Sequence, residues 1–285
     1  MHKIDGQTQL IGLLGWPVSH SFSPAMHNAA AAAAGLNWVY LPLPVHPDRL
    51  ATAVSALPAL GFRGVNVTVP HKQTVIPFLQ QLTPQAQAIG AVNTIVVTGD
   101  CATPLLGHNT DGIGFLADLA AFDLAVDGRD CLLLGAGGSA RAVAYALAEV
   151  GGRVTVLARR PVQAEELVTT LHPFLPHAVL AAAPLAELPS RNASLHAPLI
   201  VNCTPLGMHS DAGRSVWPEG VPFPADGILY DLIYNPAETK LMRQAAAAGC
   251  RVMNGRGMLI RQGAASFTMW TGIEPDVAVM SAAVS

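Results

Sequence analysis

The sequence has little charge, very little lysine and no long apolar run. Of its 285 residues only 12% are charged, and the formal net charge is -3. No long run carries a single sign, which argues against an electrostatic nucleic-acid binder. Lysine occurs only as Lys3, Lys72 and Lys240. The least charged region, from Asp5 to Asp48, is broken by Gly, Pro, His, Ser and Asn and so is not a membrane span. Cys101, Cys131, Cys203 and Cys250 lie far apart with no C-x-x-C, and the ten histidines include no H-E-x-x-H, so no metal site is expected. His20, His27, His71 and His108 read as structural or incidental. The first five residues lack the basic and apolar zones of a signal peptide, so a reducing, cytoplasmic setting is expected. What is abundant is apolar material, 51% of the chain, enough to core one large domain or two ordinary ones.

Short β-like runs alternate with helical ones. Leu10 to Gly15, Trp38 to Leu43, Val65 to Val69 and Val92 to Val97 read as strands. Pro24 to Ala34, Pro47 to Leu60 and Lys72 to Leu82 read as helices between them. A second cycle has strands at Cys131 to Leu134, Val154 to Leu157, Leu199 to Asn202 and Ile228 to Asp231. Its helices run from the glycines after Leu134 to Val150, then from Met258 to Trp270 and from Pro275 to Ala283. Proline-rich patches near Pro173, Pro184 and Pro218 to Pro224 read as surface loops. This alternation predicts βα units and mostly parallel sheet.

The segment Leu132-Leu133-Leu134-Gly135-Ala136-Gly137-Gly138-Ser139-Ala140 places G-x-G-x-x-A between a strand and a helix, the fingerprint of a dinucleotide loop. Gly135 permits a tight turn, Gly137 lets backbone approach a pyrophosphate, and Ala140 permits close helix packing. The helix start offers unpaired N–H groups to phosphate. NAD binders carry an acid at the end of the next strand, but here the chain reads Ala158-Arg159-Arg160. Guanidinium groups suit a 2′-phosphate, which favours NADP.

Four further segments are too polar for their positions. Ser19-His20-Ser21-Phe22-Ser23-Pro24 opens a helix, with Ser23 expected as N-cap and the hydroxyls able to attract a carboxylate. Asn66-Val67-Thr68-Val69-Pro70-His71-Lys72 puts Asn66 and Thr68 on one strand face and leaves Lys72 between a strand end and a helix start, where parallel sheets carry their sites. Gly90-Ala91-Val92-Asn93-Thr94 and Gly107-His108-Asn109-Thr110-Asp111-Gly112 each read alone as turns.

Taken in order with Asn202-Cys203-Thr204-Pro205-Leu206-Gly207-Met208, Asp231-Leu232-Ile233-Tyr234-Asn235-Pro236 and the segment Asn254-Gly255-Arg256-Gly257-Met258-Leu259-Ile260-Arg261-Gln262, these segments resemble the shikimate dehydrogenase family from about Gly12 to Trp270. The resemblance implies an α/β fold: an N-terminal substrate domain with mostly parallel sheet, an inserted Rossmann NADP-binding domain, and a cleft between them. It implies a substrate domain over residues 1–110, completed by helices of 256–285, and a cofactor domain over 111–255. Ser21 and Ser23 would bind a substrate carboxylate. Thr68, Lys72, Asn93, Asp111 and Gln262 would bind ring hydroxyls, with Tyr234 nearby. Lys72 would be the acid–base, with Asp111 orienting it. Gly135, Ala136, Gly137, Gly138, Ser139, Ala158, Arg159, Arg160, Thr204, Leu232 and Gly255 would line the NADP site.

The chain departs from the family pattern where Gln80-Gln81-Leu82-Thr83 lacks acids, where Arg256 stands between two glycines, and where the strand ends in Ala158 rather than Asn. The implied reaction is reversible reduction of 3-dehydroshikimate by NADPH. A quinate/shikimate or aminoshikimate dehydrogenase on the same scaffold is the alternative. A non-catalytic NADP sensor is a remoter one, because a sensor needs no Lys72–Asp111 pair. The expected partners are a small-molecule substrate and no nucleic acid or membrane, with the chain a monomer or homodimer.

Overall fold

The computed structural model describes residues 4–100, 102–192, 195, 197–208, 211–224 and 226–284. Lys3, Cys101 and the start of the N-terminal segment lie outside the described residues. The chain forms two compact units, residues 1–114 with 259–285, and residues 115–258.

In the first unit β1 (Gln9–Gly15), α1 (Ser23–Ala33), β2 (Trp38–Pro44), α2 (Leu50–Ala56), β3 (Phe62–Val67), α3 (His71–Thr74), β4 (Gln81–Leu82), α4 (Pro84–Ile89), β5 (Thr94–Val97) and β6 (Leu105–His108) follow one another. The helix α5 (Asp111–Ala121) then leads into the second unit. The sheet order is β2-β1-β3-β5-β6-β4, and β5 alone runs against its neighbours.

The second unit holds β7 (Asp130–Leu134), α6 (Gly138–Glu149), β8 (Arg153–Ala158), α7 (Pro161–Leu171), β9 (Leu180–Pro184), α8 (Leu188–Asn192), β10 (Leu199–Asn202), β11 (Ile228–Asp231), α9 (Lys240–Ala247) and β12 (Arg251–Asn254). Its six strands are all parallel in the order β12-β11-β10-β7-β8-β9. This is the doubly wound dinucleotide-binding order, with the direction of winding reversing between β7 and β10. The helices α10 (Arg256–Thr271) and α11 (Val277–Ala282) close the chain. Met26 and Ala30 of α1 pack with Ile260 and Phe267 of α10 and Met280 of α11 in one buried cluster.

Several expectations need correction. The stretch from Lys72 to Leu82 is not one helix: α3 stops at Thr74, a single 3-10 turn spans Ile76–Phe78, and β4 follows. Pro77 lacks an N–H and its ring disfavours helix in the residue before it. The stretch from Pro47 begins as a 3-10 turn and α2 ends at Ala56, just before Leu57-Pro58. Ser23 is the first residue of α1 rather than its cap. The cap position falls on Phe22, which offers no side-chain bond, and the Ser23 N–H donates to Ser21 Oγ at 3.2 Å. Pro184 ends β9 instead of lying in a loop. The strands at Val65 and Val92 are displaced, to Phe62–Val67 and Thr94–Val97, and α4, α5, α7, α8, α9, β4, β6, β9 and β12 were not anticipated.

His27 of α1 is fully buried and stacks on Tyr40 with ring centroids 4.3 Å apart. Neither ring nitrogen meets a partner in good hydrogen-bond geometry among the described residues, and the neighbouring Asn66 side chain only partly offsets the effect of burial. Burial pulls its pKa down from the usual 6.5 to about 3. The unfolded chain therefore binds a proton that the folded chain refuses between those values, and stability falls as pH drops through that window. Each pH unit costs about 1.4 kcal/mol. Acidification from pH 7 to pH 5 is expected to lower the melting temperature of the wild type more than that of His27→Phe. Equal losses in the two proteins would show that His27 is not the source.

Candidate active site

Lys72 enters the site because β3 ends before Pro70, which cannot continue a strand ladder, and the chain turns straight into α3. Its Nζ donates to Asp111 Oδ2 at 2.5 Å. The two side chains are only 13% and 5% exposed. Asp111 is the first residue of α5, where a carboxylate also meets the positive end of the helix. Asn93, immediately before β5, donates from Nδ2 to Asp111 Oδ1 at 2.8 Å and to Gln262 Oε1 at 3.1 Å. Gln262 lies on α10 and donates from Nε2 to the Leu259 carbonyl at 2.8 Å, which fixes its orientation. Four of the sequence candidates, Lys72, Asn93, Asp111 and Gln262, therefore converge within one unit although they span 190 positions. A buried ion pair is costly to make and more costly to break, since loss of one partner strands the other charge.

Ser21, Ser23 and Thr68 sit at the same edge of the sheet. The serines follow β1 and Thr68 follows β3, and these strands pair with Leu14 against Val67. Thr68 N donates to the Leu14 carbonyl at 2.8 Å. Ser23 is buried and Ser21 half-buried. His71 is fully buried, with Nε2 2.7 Å from the Val45 carbonyl, which gives it a structural role.

In the second unit the glycine loop lies where β7 and β10 meet. Gly135 has φ +108, a region closed to most side chains, and a Cβ there would press on Thr204 Cγ2 at 3.0 Å. Gly137 caps α6 with no side-chain bond, and a Cβ there would meet nothing within 4 Å. The start of α6 thus carries no side-chain cap, and Ala136, Gly138 and Ser139 around it are half-buried. This is the arrangement a pyrophosphate needs, so the residues fit a dinucleotide. Ala158 is buried at 5% exposure, so only its backbone is offered, whereas Arg159 and Arg160 are exposed. Arg160 Nε donates to Gln163 Oε1 at 3.0 Å. Tyr234 lies half-buried in the loop after β11.

Sequence reasoning gave no role to the residues that hold these loops. Asn202 and Asp231 end neighbouring strands in register, and Asn202 Nδ2 donates to Asp231 Oδ1 at 2.9 Å. Asn202 Oδ1 accepts from Thr204 Oγ1 at 2.7 Å, and Asp231 also accepts from Ile233 N at 3.1 Å and Thr239 Oγ1 at 2.7 Å. Burial raises the Asp231 pKa, and these donors counter the rise. A polar residue at the end of each of two apolar strands was the available signal. Gly255 approaches Leu232 so closely that a Cβ would overlap the Leu232 carbonyl oxygen. Among the described residues no group of three His, Cys, Asp or Glu could hold a metal ion, and no helix is long and apolar enough to cross a membrane.

Comparison with known proteins accords with this geometry. Residues 13–95 match the model of the shikimate dehydrogenase substrate binding domain, and residues 255–284 match that of the shikimate 5'-dehydrogenase C-terminal domain. The shikimate dehydrogenase (NADP(+)) of Moorella thermoacetica is 50% identical, covering 98% of this chain and 94% of its own. The crystal structure of shikimate 5-dehydrogenase from Thermus thermophilus in complex with NADP(H) and shikimate is 38% identical, with a TM-score of 0.83 over 96% of this chain and 98% of that one. Quinate dehydrogenase from Corynebacterium glutamicum in complex with NAD is 32% identical, with a TM-score of 0.85 over 97% and 98% of the two chains. On half-identity across nearly its full length, the chain belongs to the shikimate dehydrogenase family.

Proposed function

We propose that this chain is an NADP-dependent shikimate dehydrogenase: 3-dehydroshikimate, NADPH and a proton give shikimate and NADP, reversibly. The observation that carries the reading is the buried Lys72–Asp111 pair, joined through Asn93 to Gln262. When bound, NADPH supplies the hydride that the ketone carbon receives. Lys72 holds the proton that the new alkoxide oxygen takes up, and in the reverse direction it accepts that proton. Asp111 keeps the ammonium aimed and, as an acceptor, orients a neighbouring ring hydroxyl. Ser21 and Ser23 bind the substrate carboxylate. Thr68, Asn93 and Gln262 bind ring hydroxyls, and Tyr234 lies nearby.

The unit of residues 1–114 and 259–285 serves as the substrate domain, and that of residues 115–258 as the NADP-binding domain. Gly135 to Ser139 hold the pyrophosphate. Thr204, Leu232 and Gly255 line the NADP site. Arg159 and Arg160, after Ala158, take the 2′-phosphate. The enzyme works in the cytoplasm as a monomer or homodimer, without nucleic-acid or membrane partners. A panel of shikimate, quinate and aminoshikimate, each run with NADP and with NAD at the NADPH absorbance band, tests the reading. Shikimate with NADP should give the highest kcat/KM, and no turnover of any pair would defeat it.

Replacing Arg159 and Arg160 together by alanine should lower the NADP-over-NAD preference by about tenfold or more, as loss of hydrogen bonds to a charged group implies. An unchanged ratio of the two kcat/KM values would remove these arginines from the phosphate site.

A further inference from the structure

Behind the Lys72–Asp111 pair lies a buried file of amides and hydroxyls drawn from β2, β3, β5 and α10. Tyr40, Asn66, Thr94 and Ser266 are each 4% exposed or less. Main-chain groups fix the orientation of the amide at each end of the file. The Thr110 N–H can only donate, so the Asn93 atom 2.8 Å from it is the oxygen Oδ1. The Asn93 amide N–H groups consequently face Asp111, the Thr110 hydroxyl at 2.9 Å and Gln262. At the other end, the Asn93 main-chain carbonyl can only accept, so Asn66 turns its Nδ2 toward it at 3.2 Å. Asn66 Oδ1 is then left to accept from the Tyr40 hydroxyl at 2.8 Å.

Three hydroxyls join these ends, those of Thr94, Ser266 and Thr110, the last lying 3.2 Å from both Asn93 Oδ1 and Ser266 Oγ. Thr94 Oγ1 has one proton, given to Asn93 Oδ1 at 2.9 Å. Ser266 then has two acceptors for its own proton, Thr94 Oγ1 at 2.7 Å and the Gln262 carbonyl at 3.1 Å, and the Thr94 contact is the shorter. Ser266 Oγ in turn accepts from Asn66 Nδ2 at 3.0 Å. With Ser266 donating along its shorter contact to Thr94, the protons run from Tyr40 through Asn66, Ser266 and Thr94 into Asn93, and from Asn93 onto Asp111. A chain of this kind polarises cooperatively, and a half-satisfied one is costly in a dry interior. Turned over, the Asn93 amide would set its oxygen against the Asp111 carboxylate and present the wrong polarity to a substrate hydroxyl.

We infer that Thr94 and Ser266 are positioning residues, hydroxyl donors that lock the Asn93 side chain in the one orientation serving Asp111 and Gln262. The inference rests on the proposed dehydrogenase activity. It is tested by comparing Thr94→Val, which keeps the branched shape suited to a strand and removes the hydroxyl, with Thr94→Ser, which keeps the hydroxyl. Full-length proteins are assayed with shikimate and NADP. Thr94→Val should lose about tenfold in kcat/KM for shikimate, as expected when the buried Asn93 Oδ1 loses a hydroxyl donor, with KM for NADP unchanged. Thr94→Ser should stay within about twofold of wild type, because it retains that donor. Ser266→Ala should reproduce the Thr94→Val loss, and it carries the test if Thr94→Val does not fold. The inference is overturned if the hydroxyl-free variants keep wild-type kcat/KM, or if Thr94→Ser falls as far as Thr94→Val, which would mean that methyl packing matters instead. An inert wild type would overturn the functional reading and this inference together, whereas an active wild type beside an unaffected Thr94→Val overturns this inference alone.

Discussion

Lys72→Ala is expected to lower kcat for shikimate oxidation by about 10² to 10⁴, the usual worth of a positioned acid–base, while shikimate still binds. The proposed binding groups Ser21, Ser23, Thr68, Asn93 and Gln262 are untouched by this change, so the loss should fall on kcat rather than on KM. Asp111, only 5% exposed, would lose its cation, so the variant should also melt lower. Thermal denaturation beside steady-state kinetics separates the two effects at a temperature where the variant stays folded. Added ethylamine should restore part of the lost turnover, since a free amine can occupy the vacated space. Near-normal kcat in the folded variant would remove Lys72 from the chemistry.

Gly255→Ala should act on the other substrate. Its added methyl would overlap the Leu232 carbonyl oxygen, a main-chain atom that moves only if the loop after β11 moves. That loop is already fixed by Asp231 and by the Gly255 N–H, which donates to the Ile233 carbonyl at 3.2 Å. Overpacking of this kind costs on the order of 1–3 kcal/mol, which corresponds to about tenfold to hundredfold in affinity when the displaced backbone borders the ligand. NADPH titration followed by fluorescence should show that loss, with KM for shikimate at saturating NADP changed less than about twofold, because the substrate contacts are not touched. NADPH affinity equal to wild type would place Gly255 outside the cofactor site.

Much of this site is legible in the chain itself. Lys72 stands out because lysine is so rare here and because it follows a strand directly. The run Leu132 to Ala140 carries its own context, apolar strand before and small-residue helix after, and the φ of Gly135 is the conformation such a turn demands. What is not legible is what arrives from elsewhere. Ser266 is one helical turn beyond Gln262 among alanine and glycine, so nothing local separates it from a neutral helix residue. Tyr40 reads as an aromatic inside a strand, and its hydroxyl gains meaning only from Asn66 on β3. The misread stretch from Lys72 has a local cause, since apolar periodicity continued across Pro77 while the backbone could not. The misplaced cap at Ser23 is an error of one residue, and the hydroxyl that meets the orphan N–H belongs to Ser21.

The discontinuous build of the first unit bears on how the protein is made. Residues 115–258 form a contiguous unit that can fold as it leaves the ribosome, while residues 1–114 must wait. Gln262, Ser266 and the apolar faces of α10 and α11 emerge only after all of that intervening chain. Until then Asn93 lacks the Gln262 acceptor, and the Met26 face of α1 is open to solvent. Nascent chains that have released residues up to 258 but not yet the rest of α10 and α11 would therefore carry one complete unit beside an uncovered, chaperone-attracting one, and quality control during translation has its decisive moment in these two helices.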